Sequence, residues 1–165
     1  MAEAAKSGEV QLVVFTMENE EFACSINNVR EVLKMIKFTP LPRSLDFVEG
    51  VINMRGEVLP VIDLRKRLGL PDAERTDNSR IIIVEVEERM VGLIVDAVNE
   101  VISLDNEQIQ EVPTQVAGGK TDLITGVGKV DDRMLIILDL DRILTGEEKI
   151  ALEDVRASRQ LAGNE

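Results

Sequence analysis

The chain has 165 residues, 44% hydrophobic and 30% charged, the composition of a domain that buries a core. Acids outnumber bases 31 to 19, for a net charge of −12, which argues against nucleic acid and anionic membrane surfaces, since both are bound through Lys and Arg. There is no His to serve as base or metal ligand, and a single Cys, Cys24, excludes an intrachain disulfide.

Residues 1–9, MAEAAKSGE, lack an apolar stretch and are expected to be a flexible tail and not a signal peptide. No uncharged apolar run approaches the about 18 residues that span a bilayer, so no membrane insertion is expected and the cytoplasm is the expected compartment. Residues 11–33, QLVVFTMENEEFACSINNVREVL, read as strand, turn, strand and a short amphipathic stretch. Cys24, between Ala23 and Ser25, is read as core packing, with a reactive thiol as the alternative. NNVREVLKM (27–35) places Val29, Val32, Leu33 and then Ile36 at helical spacing, which predicts a short helix capped by Asn27 or Asn28. SLDFVEG (44–50) predicts a second, from Ser44 to Gly50.

GVINMRGEVLPVIDL (50–64) reads as a hairpin that turns at Asn53-Met54-Arg55-Gly56. Pro60 has no N–H for a ladder, which predicts an edge strand or a bulge. DLRKRLGL predicts one helical turn ending at Gly69, and PDAERTDNS (71–79) a polar linker. Strand, turn, strand and amphipathic stretch recur at 80–102, PTQVAGGKTD (113–122) is a loop, and GVGKVDDRMLIILDL (126–140) is a second hairpin. Thr145 and Glu148 fit a capping box, so 146–160 is expected to be helical, the last residues 147–165 forming a C-terminal helix and tail.

The chain is written twice. Residues 11–33 align without a gap on 80–102, with Val29, Glu31 and Val32 on Val98, Glu100 and Val101, and 50–64 align on 126–140, with Gly50 on Gly126 and Asp63 on Asp139. Each half, about 10–70 and 79–146, has the size of one five-stranded barrel, within a single unit spanning 10–146. The fold class is therefore all-β with minor helices. One hairpin puts Arg55 at its tip, where the other has Asp131.

No catalytic constellation stands out, and no metal or cofactor is expected. GGKT (118–121) resembles a phosphate-loop ending, but Thr114 stands where that loop needs Gly. Asp131 and Asp132 are turn residues, and Asp139 with Asp141 read as solvated acids and not as the paired carboxylates of a hydrolase. An oligonucleotide-binding barrel would need basic and aromatic residues, whereas the chain has four Phe and neither Trp nor Tyr.

VEGVINMRGEVLPVIDLRKRLG, with FACSINNVREV, FTPLP and VGLIVDAVNEVI, resembles the CheW family of chemotaxis coupling proteins from about Val10 to Leu144. The resemblance implies two SH3-like or OB-like barrels with chain exchanged between them, no enzymatic activity, and an adaptor that links the cytoplasmic tips of chemoreceptors to the regulatory domain of the histidine kinase CheA. The chain shows no kinase, phosphotransfer or receiver segment, so a free-standing member is expected. The implied receptor-side residues are Val29, Glu31, Val32, Gly50, Arg55 and Val101, and a second kinase contact falls near Gln110, Thr114 and Gln115. Val29, Val32 and Leu33 fit a core stripe as well as a docking face. Arg55 fits a contact with a partner carboxylate, a brace to Glu31 or to the loop FTPLPRS, or a surface charge.

Overall fold

The computed structural model describes residues 9–40, 46–112 and 123–143. The two repeats form the same elements in the same order. In the first half, β1 (Glu9–Met17) and β2 (Glu20–Ser25) form a hairpin, followed by β3 (Val29–Lys34), β4 (Val48–Met54), β5 (Glu57–Asp63) and a helical turn α1 (Leu64–Leu68). In the second, β6 (Arg80–Val86) and β7 (Arg89–Val95) are followed by β8 (Ala97–Asp105), β9 (Ile109–Glu111), β10 (Ile124–Val130), β11 (Arg133–Leu138) and a 3-10 turn at Leu140–Arg142. Three of the hairpins turn on two left-handed residues, Glu18–Asn19, Arg55–Gly56 and Glu87–Glu88, the geometry whose twist matches paired strands.

The strands sort into a six-stranded sheet, β8-β1-β2-β11-β10-β9, and a five-stranded one, β3-β6-β7-β5-β4. Each has one parallel contact, β11 on β2 in the first and β5 on β7 in the second. Mapped through the repeat, the two orders are identical. The extra strand β9 has its counterpart in a single bridge, Thr39 to Val51. So one sheet exceeds the five strands expected. Each sheet also takes strands from both halves: β1 and β2 join β8–β11, while β3–β5 join β6 and β7.

Packing follows from the alternation of side chains along a strand. Leu12 and Val14 of β1 face a core shared with Ala23, Leu104 and Leu135. Ile81 and Ile83 of β6 face another, with Ile52, Leu59, Val61 and Ile94. Leu33 of β3 and Met54 of β4, on the two edge strands of the five-stranded sheet, both pack on this second core, so the sheet curls around it. The opposite faces of β1 and β6, carrying Val13, Phe15 and Met17 and Ile82, Val84 and Val86, meet in a third core between the sheets. Phe15 stacks there on Phe22, ring centroids 6.1 Å apart. Cys24 lies in this core as well, and burial pushes its thiol up to about 12, so it stays neutral and inert.

Three expectations are corrected. Residues 27–35 are not a helix: a 3-10 turn, Ile26–Asn28, is capped by Ser25 and leads into β3. A bulge at Arg30 shifts the register, so Val29 faces one way and Leu33 the other, and the broken alternation imitates helical spacing. Residues 46–50 are not helical either, since β4 begins at Val48 and Phe47 accepts a hydrogen bond from Asp63 N at 2.7 Å. Ser44 lies outside the described residues. Pro60 is not on an edge, because β5 runs between β4 and β7, and the bulge offered as the alternative lies on the partner strand, at Glu49 between Val48 and Gly50. Its partner Val51 turns its own N–H and C=O away, to Thr39, so Pro60 needs no donor toward β4, and pairing with β7 starts only at Val61. Glu9, expected to belong to the N-terminal tail, is in β1 and pairs with Asp105, and residues 1–8 lie outside the described residues. The expected loop 113–122 and the C-terminal helix lie outside the described residues.

The expected turn at 64–69 forms. Asp63 Oδ1 accepts from Arg65 N at 3.0 Å, and Gly69 closes the turn at φ 76°. Arg65 then clamps the sheets together. Its Nε and Nη2 donate to Asp96 at 2.9 and 2.5 Å, it pairs with Glu18 in the β1–β2 turn, and Nη1 donates to Pro71 O at 2.7 Å. Buried Arg67 donates to the carbonyls of Arg142 and Ile143 beneath the ring of Phe47. The 71–79 linker is polar as expected and is held by Arg75, which bonds Glu49 at 2.7 Å and Asp63 at 3.0 Å.

The Arg65 hydrogen bonds hold the Asp96 carboxyl below its ordinary value, against the opposing effect of burial. A depressed carboxylate contributes stability that is complete above its unfolded pKa, about 4, and is lost as pH falls through the folded value. Urea midpoints measured from pH 7 to pH 3 should therefore drop below about pH 4 in the wild type, and Asp96→Asn should flatten that drop while lowering the midpoint at pH 7.

Candidate functional site

The exposed large apolar side chains outside the cores are few: Val32, Ile36, Val101 and Met134, 43 to 60% accessible. Val32 and Val101 are equivalent in the repeat. Val32 pairs with Ile82 and Val101 with Val13, and both partners belong to the core between the sheets. Each valine therefore lies on the face its sheet turns toward the other, but on an edge strand, where nothing among the described residues covers it. Three residues earlier, Val29 and Val98 pack onto that shared core. The sequence pattern left Val29 and Val32 between core and docking face. The bulge at Arg30 puts both on the face turned toward the other sheet, Val29 packed on the shared core and Val32 43% exposed at its margin.

Glu31 follows that bulge and meets Arg55. Arg55 Nη1 lies 2.9 Å from Glu31 Oε2, an ion pair joining the β4–β5 tip to β3, the two edges of the five-stranded sheet. Of the roles open to Arg55, a brace to Glu31 is thus realised. The arginine remains 78% exposed and its other donors face solvent, so an exposed pair of this kind contributes at most about 1 kcal/mol. Arg55 also sits at φ 54°, a region that suits Asn or Gly better than Arg.

The contrast between an arginine tip and an aspartate tip does not survive in the side chains. Arg133, two positions beyond Asp131, opens β11 and reaches Glu100, the counterpart of Glu31, at 2.8 Å. It also grips Glu21 with Nε at 2.9 Å and Nη2 at 2.7 Å, and this grip holds the Glu21 carboxyl below its usual value. A gap-free alignment hides the equivalence, because the arginine has moved along the hairpin while its partner stayed.

Gly50 is buried, not part of a surface. A Cβ there would stand 2.2 Å from Thr39 O, and Thr39 and Val51 exchange hydrogen bonds of 2.8 and 2.9 Å. It seats the 38–40 segment against β4. Gly126 does the same beneath Gln110, whose carbonyl would lie 3.0 Å from its Cβ. Gln110 is exposed on the outer strand β9, and Thr114 and Gln115 lie outside the described residues.

Among the described residues no group of three or more His, Cys, Asp or Glu is placed to hold a metal ion, and no helix is long and apolar enough to cross a membrane. Phe15, Phe22 and Phe47 are buried and Phe38 lies under the Arg75 guanidinium, so no Phe is left to stack on bases. The surface on offer is a pair of apolar edge strands, each with a carboxylate–arginine pair at its hairpin end, which suits docking of another macromolecule.

Comparison with known proteins agrees. The family profile described as CheW-like domain matches residues 11–148. The chain is 40% identical to the chemotaxis protein CheW of Bacillus subtilis (strain 168), over 89% of this chain and 94% of that one. It is 34% identical to the chemotaxis protein CheW of Klebsiella aerogenes, over 90% and 89%. The crystal structure of the scaffolding protein TtCheW from Thermoanaerobacter tengcongensis superposes with a TM-score of 0.76 at 39% identity, covering 84% of this chain and 94% of that one.

Gly50→Ala should push Thr39 off β4 and lower the melting temperature by several degrees, the scale of about 1–3 kcal/mol for an overpacked site in a domain of this size. Gly56→Ala, with open space around its Cβ, should cost less, only what the left-handed φ of 87° imposes. Differential scanning calorimetry of the two variants checks the order.

Proposed function

The chain belongs to the CheW-like domain family of non-enzymatic chemotaxis scaffold proteins, and on that premise we propose that it couples the cytoplasmic tips of chemoreceptors to the histidine kinase CheA. The observation that carries the receptor half is the pair of exposed valines, Val32 and Val101, on edge strands beside a shared core. A helix laid along such strands buries its apolar face on them. Arg55 supplies a guanidinium fork beside Val32 for a carboxylate or carbonyl of that helix, and Glu31 presets its direction. Val29 and Gly50 act from beneath, Val29 by anchoring β3 and Gly50 by seating the 38–40 segment.

The kinase is the second partner, through its regulatory domain. The second kinase contact is assigned to the region of Gln110, Thr114 and Gln115. The acidic balance of the chain favours neither nucleic acid nor direct membrane insertion. The proposed place of work is the cytoplasm, at receptor arrays.

Titration calorimetry of the full chain against a soluble receptor-tip hairpin and, separately, against a CheA regulatory domain tests the reading. Binding to both is expected, and binding to neither at tens of micromolar overturns it. Arg55 divides the two roles. Arg55→Asn places a residue suited to the left-handed turn position, so its melting temperature should match or exceed that of the wild type. Receptor affinity should fall roughly tenfold to a hundredfold, the cost of a charge-assisted bidentate contact. Arg55→Lys keeps the charge without the fork and should recover only part of it. A lowered melting temperature with proportionate loss of binding would instead make Arg55 a brace alone.

A further inference from the structure

We infer that Arg133 is a positioning residue for receptor docking: it staples the edge strand β8 so that Val101 is held at the height the partner meets. The inference rests on the receptor reading above. Among the described residues β8 is the outermost strand of its sheet, with β1 as its one strand neighbour. That pairing is irregular where it matters. The register shifts between Val14 and Phe15, leaving Asn99 as an extra residue on β8, one position before Glu100 and two before Val101. Bulged pairs have fewer ladder bonds, and the strand end beyond them is freer to bend.

Side chains make good the loss. Asn99 Nδ2 donates to Thr16 Oγ1 at 2.9 Å. Arg133 spans the sheet from β11, gripping Glu21 of β2 with two nitrogens and Glu100 of β8 with Nη2 at 2.8 Å. The link crosses β1, which lies between β2 and β8. The first repeat contains the same device at the same place. Arg30, the residue equivalent to Asn99, is its bulge, Glu31 follows, and Arg55 holds Glu31. Both copies thus have a bulge, a glutamate stapled by an arginine, and then an exposed valine. The glutamates and valines recur through the repeat, but the arginines do not align, so the staple is kept beside the exposed valine where the sequence itself is not. The copies differ in firmness: Arg55 is 78% exposed on one carboxylate, whereas Arg133 is 36% exposed on two. Val101 is the fixed side of the docking face.

Glu100→Gln in the full chain tests this. It removes the staple on β8 but leaves the Arg133–Glu21 grip. Melting should stay within about 2 °C of the wild type. Amide exchange at 99–102 should accelerate. Receptor-tip affinity should fall roughly three- to tenfold, as the fraction of molecules with β8 in place falls. Binding of the CheA regulatory domain should not change. A cycle with Arg133→Gln separates positioning from direct charge contact: a staple makes the two losses overlap, while independent contacts with the partner make them add. Unchanged receptor affinity in Glu100→Gln, or additive losses, overturns the inference. If the wild type does not bind the receptor tip at all, it is the receptor reading that fails. Exchange at 99–102 then decides the staple alone, an unchanged rate overturning it.

Discussion

The core between the sheets is what the rest of the molecule depends on. A closed sheet of five or six short strands buries too little apolar surface to be stable alone. Here β1, β2, β6 and β7 bury both faces, one toward their own barrel and one toward the other barrel. That is why they carry unbroken apolar runs, LVVF in β1, FAC in β2, IIIV in β6 and LIV in β7, and not alternations. It also makes the barrels interdependent, because the strands that face each other across the core come from opposite halves of the chain.

The docking features follow from where that core stops. β3 and β8 extend past it, so valines that would continue it, Val32 and Val101, are left on the surface. Edge strands are also where a sheet is least constrained and where exposed backbone invites unwanted pairing. Bulges at Arg30 and Asn99 twist these edges, and ion pairs from the hairpin ends tie them down. One set of devices thus keeps the edges from pairing indiscriminately and sets the position of the apolar side chains.

Much of this was legible in the sequence, and the failures have physical causes. The repeat was visible because core positions tolerate few residue types, and it carried the pairing of Val32 with Val101 and of Gly50 with Gly126. The helix expected at 27–35 failed because a bulged edge strand, half inward and half outward, shows the apolar spacing of a helix. Pro60 misled because the rule concerns a missing donor, and here the position needs none toward β4. The role of Gly50 was invisible, since close approach of Thr39 depends on a contact distant in sequence. Arg133 was missed for a different reason. Arginines two aligned positions apart reach equivalent glutamates, Glu31 and Glu100, so chemistry was retained where alignment showed a difference.

Strand exchange has a consequence in time. Phe22 pairs beside Ile136, and Val13 beside Val101, so the first hairpin to leave a ribosome cannot complete its barrel until nearly the whole chain has followed. Contacts of such long sequence separation make for slow folding and leave apolar strands uncovered in the meantime. The net charge of −12 then acts before any partner is met, as mutual repulsion between nascent chains whose edges are still open. As the chain now stands neither half holds all the strands of a sheet, so a cut between them leaves no complete barrel on either side.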